Sequence, residues 1–216
     1  EFKVESINPE LQKMEGGGFA VKIGGKELKF GSEFSFPGGN YILGEKLESN
    51  DLDIKFQKVE KDNIQLKLTS PYYSILREVS IKSKNHIQIE DKIENKTDKD
   101  IGLIFSNYLL LEGLPFDNCR IGGRTSQALN YIESYQNPTI YLPSKNLSMG
   151  IVVEDDVCRN QVNFYYDTER KQTGYKDSSF ALEKGASYTS VWSIYLVDSE
   201  DYYDFQFNVI NNNNRY

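Results

Sequence analysis

A chain of 216 residues is long enough to bury one large core without disulfide or metal staples. With 38% hydrophobic and 26% charged residues it is not a disordered chain. Its formal net charge of −7, with no Lys/Arg-rich stretch, argues against a nucleic-acid partner, and no run approaches the roughly 20 apolar residues of a membrane span.

The 15 Tyr and 12 Phe against only 6 Pro favour strands, because aromatic rings sit well on pleated, half-buried surfaces. Glycine clusters at Gly16-Gly17-Gly18, Gly24-Gly25, Gly38-Gly39 and Gly122-Gly123 lack the spacing of phosphate-cradling loops and read as turns between strands. In the stretch from Leu52, the apolar residues Ile54 and Phe56 alternate with Asp53, Lys55 and Gln57. After the polar Glu60-Lys61-Asp62-Asn63 turn, Ile64, Leu66 and Leu68 alternate again, which predicts a β-hairpin. Tyr73, Ile75, Val79 and Ile81 lead to Ser83-Lys84-Asn85, and Ile87, Ile89 and Ile93 follow, so the meander continues with one wet face.

Ile101 to Leu111 and Tyr188 to Val197 carry apolar residues at both parities, and such strands are expected in the middle of a sheet, covered on both sides by sheet packing. In the second, Trp192, Ile194 and Leu196 share the face expected to point into the core. Near the end, Ser199 is placed to cap a helix in which Tyr202, Phe205 and Val209 recur at helical spacing, with Glu200 and Asp201 in its first turn. A strand is the rival reading, since Tyr203, Phe205, Phe207 and Val209 also alternate. The expected fold is all-β: a two-layer antiparallel β-sandwich over residues 1–198, followed by a short C-terminal helix and linker over 199–216.

Candidate chemistry is sparse. His86, the single histidine, falls beside Asn85 in a hairpin turn, where a solvated role is expected; one histidine and two cysteines do not make a zinc site, and no metal or cofactor is expected. Cys119 and Cys158 permit one disulfide, but a chain of this length does not require it. No G-x-S-x-G elbow is present, which disfavours serine hydrolase chemistry. Glu154-Asp155-Asp156, ahead of Arg159, is the densest acidic cluster beside an apolar strand. Carboxylates cleave glycosidic bonds and bind calcium, yet adjacent strand residues point to opposite faces, so a solvated strand end or an Asp–Arg159 pair is the competing reading. Tyr131 and Tyr135 lie in a loop-like stretch with Gln127, Asn130, Glu133 and Gln136, where rings can stack on a sugar and amides can bond its hydroxyls. Asn95-Lys96-Thr97 and Asn146-Leu147-Ser148 match the glycosylation sequon, a pattern too common to fix a compartment.

The run Asn137-Pro138-Thr139-Ile140-Tyr141-Leu142-Pro143, Gly150 to Arg159, Phe180-Ala181-Leu182, Trp192-Ser193-Ile194-Tyr195 and Asp201-Tyr202-Tyr203-Asp204-Phe205 ahead of Asn208 resembles a particular β-sandwich. It is the galactose-mutarotase-like supersandwich that precedes the catalytic barrel in some bacterial glycoside-hydrolase-like proteins. The resemblance implies that the Tyr/Phe-rich end leads as a helix toward a C-terminal catalytic domain of the same chain. An Asn and an Arg are usual near that end; Asn208 fits, whereas Asn211 to Asn214 displace the arginine to Arg215. It also implies a carbohydrate-associated, non-catalytic module; the residues' own chemistry puts the expected sugar contacts at Tyr131, Tyr135, Glu154, Asp155, Asp156 and Arg159, and a secreted or periplasmic setting is favoured over a cytoplasmic one. The first residue, Glu1, is not Met, which fits removal of a signal peptide, a tag or an upstream segment. A self-contained sugar-active enzyme, isomerase or lyase, using carboxylate and tyrosine acid–base chemistry is the alternative.

Overall fold

The structure is a computed structural model, which describes residues 8–36, 39–43, 52–114, 116, 118–126, 130–133 and 137–213. The strands are β1 (Glu10–Lys13), β2 (Phe19–Ile23), β3 (Lys26–Phe36), β4 (Gly39–Leu43), β5 (Asp53–Val59), β6 (Asn63–Thr69), β7 (Tyr73–Ser83), β8 (His86–Asn95) and β9 (Ile101–Leu110). They continue with β10 (Cys119–Ile121), β11 (Arg124–Ser126), β12 (Asn130–Glu133), β13 (Thr139–Leu142) and β14 (Ser148–Val153). A single helical turn, α1 (Cys158–Gln161), precedes β15 (Asn163–Asp167), β16 (Gln172–Leu182) and β17 (Ser187–Val197), and α2 (Tyr202–Asn213) closes the fold.

Two antiparallel sheets form the sandwich. One runs β1-β2-β3-β9-β16-β15-β12 with β4 beside β3, and the other runs β11-β10-β13-β14-β17-β8-β7-β6-β5. Both hairpins expected from the alternation are present: Ile64 pairs with Val59 across β5 and β6, and Ile87 with Ile81 across β7 and β8. The strands with apolar residues at both parities are central, β9 between β3 and β16 and β17 between β14 and β8. Period two places Phe19, Phe30, Phe105 and Tyr175 of one sheet opposite Ile64, Ile89, Trp192 and Ile194 of the other in one buried core. Trp192 sits among the rings of Phe30, Phe19 and Tyr175 at centroid distances of 6.1, 6.2 and 6.0 Å.

The core also holds ions. Arg77 on β7 is fully buried and grips Asp91 on β8 through Nε at 2.6 Å and Nη2 at 2.7 Å. Two more of its N–H groups cross to the other sheet, donating to Ser32 Oγ at 2.7 Å and Asn107 Oδ1 at 2.9 Å, and Asn107 donates to Tyr175 at 2.8 Å. A guanidinium can be buried only when its donors are matched in this way.

Two expectations are corrected here. The outer face of β17 is covered by α2 rather than by a second sheet: Tyr141, Val152, Tyr195, Val197 and Phe205 form a separate buried cluster. Ser199 does not cap the helix; its Oγ accepts the Asp201 N–H at 3.0 Å, and the Asp201 carboxylate accepts the Tyr203 N–H at 2.9 Å. Asp201 is the residue whose side chain reaches the first free helical N–H groups, so the helix starts later than the sequence suggested.

Candidate functional site

The acidic cluster follows the end of β14, and its three members diverge. Asp155 turns inward, where Oδ1 accepts the Cys158 N–H at 2.7 Å and the Tyr188 hydroxyl. Oδ2 accepts Ser190 Oγ at 3.3 Å and the Val191 N–H at 3.2 Å, so the carboxylate staples the turn before α1 onto β17. Burial, and after it the contact with Asp155, push the Tyr188 phenol well above its ordinary range. Asp156 points to solvent with its side chain 85% exposed, 3.6 Å from the Arg159 guanidinium one turn on. Glu154 leans back over the outer face of the sheet.

That lean creates a cluster the sequence did not announce. Glu154 Oε1 accepts the Tyr195 hydroxyl at 3.1 Å and lies 4.0 Å from His86 Nε2. His86 Nε2 is 2.9 Å from Ser193 Oγ, and its ring stacks on Tyr195 with centroids 4.6 Å apart. His86 is therefore not the solvated turn residue expected: it opens β8 directly opposite Tyr195, and that aromatic neighbour buries it. Burial lowers its pKa, while Glu154 pulls the other way and Lys82 adds to the fall. Chemically, the set is a neutral imidazole, a carboxylate, a phenol and a hydroxyl within reach of one another, and all four residues are buried.

Helix α2 borders this cluster. Asn85 Nδ2, beside His86, donates to Asn208 Oδ1 of the helix at 3.1 Å, and the Tyr141 hydroxyl donates to the Ser199 carbonyl at 2.8 Å. Phe205 is fully buried; it stacks on Tyr141 at 5.1 Å and occupies the gap left by Gly150 in β14. Gly150 pairs with Tyr141 on one side and Tyr195 on the other, so a residue without Cβ is flanked by two rings and receives a third. On the solvent side, Tyr203 is 70%, Phe207 63% and Ile210 37% exposed. Their spacing of four and three places them on one face of the helix.

Tyr135 lies outside the described residues. Tyr131 is not in the loop-like stretch expected: it lies in β12, at the edge of the sheet that does not contain β14, where its backbone pairs with Tyr165 of β15, and its side chain lies outside the described residues. Tyr131 and the carboxylate cluster that follows β14 therefore belong to different sheets. His86, Ser193 and Tyr195 were missed as a group because Glu154 and His86 meet only through the β14–β17–β8 pairing. The one available signal was the mixed parity of β17, which placed Tyr195 on a covered outer face.

Cys119 and Cys158 are both free and buried, and burial pushes the Cys119 thiol up to about 12. Among the described residues no group of three His, Cys, Asp or Glu is placed to hold a metal ion, and no helix is long and apolar enough to cross a membrane. An open cleft of about 420 Å³ lies at one end of the sandwich, lined by Lys26, Lys29, Leu110, Glu112 and Leu114 among others.

No protein-family model matches the sequence, and no curated protein matches it. Solved structures match by shape. An α-N-acetylgalactosaminidase from Bifidobacterium bifidum aligns with a TM-score of 0.67 and 10% identity over 100% of this chain and 39% of its own. A galactose mutarotase-like protein from Lactobacillus casei aligns with a TM-score of 0.54 and 8% identity, over 90% of this chain and 99% of its own. A heparan sulfate lyase from Pedobacter heparinus gives a TM-score of 0.51 at 10% identity, over 86% of this chain and 31% of its own. The fold is the galactose-mutarotase-like β-sandwich, and the chain spans well under half the length of the two larger enzymes.

Proposed function

We propose that this chain is a carbohydrate-associated, non-catalytic module of a larger carbohydrate-active enzyme, packed through α2 against a catalytic domain of the same polypeptide. The observation that carries the proposal is the two-sided character of α2. Phe205 is buried on the sandwich, while Tyr203, Phe207 and Ile210 present a second apolar face to solvent. Exposed apolar surface concentrated on one element marks an interaction site. On this reading residues 199–216 form the helix and linker toward that domain. The structural likeness to one domain's worth of a glycosidase and of a lyase supports it.

The module extends the substrate site, with Tyr131 and Tyr135 as its stacking residues and Asp156 and Arg159 as additional polar contacts. Glu154 and Asp155 already accept hydrogen bonds inside the protein and serve to shape the turn. In the full-length enzyme, Tyr203→Glu with Phe207→Glu should lower polysaccharide turnover while leaving the β-sheet circular dichroism intact. Unchanged turnover would remove the docking role of α2.

The second reading is a self-contained sugar-active enzyme. It is favoured by the Lactobacillus casei protein, whose whole chain is matched by this fold, and by the meeting of His86, Glu154 and Tyr195. Anomerisation or eliminative cleavage of saccharides by the 216-residue chain, abolished by Glu154→Gln, would establish it in place of the first.

A further inference from the structure

Beneath α1, where the bulge of β16 meets the turn before the helix, lies an imbalance of buried charge. Asp177 is fully buried at the irregularity between Asp177 and Phe180. Its Oδ1 accepts the Ser179 N–H at 2.9 Å, and among the described residues Oδ2 has no hydrogen-bond partner. The titratable groups facing it are Asp155 from the turn and Cys158 from α1. Asp91 of β8 and Tyr188 of β17 face Cys158 from the other side. Among the described residues the cation of this buried region is Arg77, and it is held by Asp91. Four donors satisfy Asp155, whereas among the described residues no cation faces Asp177.

We infer that Asp177 is carried in the folded chain as the neutral carboxylic acid at pH values where an exposed aspartate is ionised, making the β16 bulge a pH-sensitive catch under α1. With Arg77 matched to Asp91, Asp177 is left fully buried with no cation against it among the described residues, and in a low-dielectric interior the least compensated carboxyl is the one that keeps its proton. Burial raises the Asp177 pKa, Asp155 adds to the rise, and the Ser179 and Phe180 N–H groups only partly oppose it. Because the folded carboxyl binds its proton more tightly than the unfolded one, its contribution to stability is complete below the unfolded value of about 3.9. It is lost as pH rises through the higher folded value. Ionisation disfavours the buried position of Asp177, and α1 is the helical turn that packs on β16.

The test is the thermal unfolding midpoint of the chain between about pH 5 and about pH 8, compared with Asp177→Asn and with Asp156→Asn as an exposed-carboxylate control. Asp177→Asn keeps an acceptor for the Ser179 N–H but cannot ionise. It should melt higher than wild type at the alkaline end by roughly 2–4 °C, a gap that closes toward acid pH. Asp156→Asn should track wild type throughout. Parallel profiles for wild type and Asp177→Asn overturn the inference. Carbon-13 labelling of the aspartate carboxyls in the wild-type chain decides the matter even if the variant does not fold. One resonance should stay in its protonated position after the others have moved, and titration of every aspartate near the ordinary value of about 3.9 overturns it.

Discussion

Replacing Gly150 by alanine tests whether α2 is held by one ring in one gap. A methyl group on Gly150 falls inside van der Waals contact with Cε2 of Phe205 and only 2.5 Å from Cζ. The ring cannot swing aside, because Tyr141 stacks on it at 5.1 Å and Tyr195 meets it edge-on at 6.3 Å. The backbone of β14 cannot yield either, being paired to β13 and β17. The overlap is therefore relieved by lifting α2. Overpacking of this kind costs about 1–3 kcal/mol, and complete loss of Phe205 burial sets a ceiling of about 1.5–3 kcal/mol. We expect a loss of about 2 kcal/mol. Urea unfolding should show a lower midpoint at an unchanged slope, and amide hydrogen exchange should quicken across Tyr202–Asn213 while β8 stays protected. The double variant Gly150→Ala/Phe205→Ala should be no less stable than Phe205→Ala alone, since the methyl then fills part of the vacated space. Additive losses in that cycle would refute the geometry, as would a single-variant cost under about 0.5 kcal/mol.

Trp192→Ala removes the largest fully buried side chain and should cost about 3–5 kcal/mol in denaturant unfolding; a loss under about 1 kcal/mol would mean that β17 is out of register. Arg77→Ala strands the buried Asp91 carboxylate and should cost about 3–5 kcal/mol, whereas replacing Arg77 and Asp91 together by Met and Leu should recover most of that loss. The imidazole proton resonance of His86, the single histidine, should titrate below the ordinary value of 6.5, because burial outweighs Glu154. A histidine with a depressed folded pKa contributes stability above its unfolded value that is lost as pH falls through the folded one, so His86→Gln should flatten the acid limb of the stability profile. A midpoint at or above 6.5 would show that the Glu154 charge prevails.

The sequence determined the class of fold, the two hairpins, the central places of β9 and β17 and the inward face of Trp192, since each follows from period-two alternation along a single strand. It favoured a helix after Ser199 with Phe205 on its stripe but left a strand open, since both periods fit the same residues; the structure gives the helix Tyr202–Asn213 with Phe205 buried, and Asp201 rather than Ser199 engages its first turn. Tertiary structure alone decided which strands are neighbours, and with them the sites. His86 and Glu154 sit on β8 and after β14, and β17 running between them brings both to Tyr195. Arg77 falls at the apolar parity of β7, between Ile75 and Val79, but nothing local shows what would satisfy it there until Asp91, Ser32 and Asn107 close around it from two sheets. The physical reason is common to both: alternation fixes the face on which a side chain lies. Burial, hydrogen-bond satisfaction and pKa depend on what the rest of the chain places against that face, and sequence-distant pairing leaves no local pattern to read.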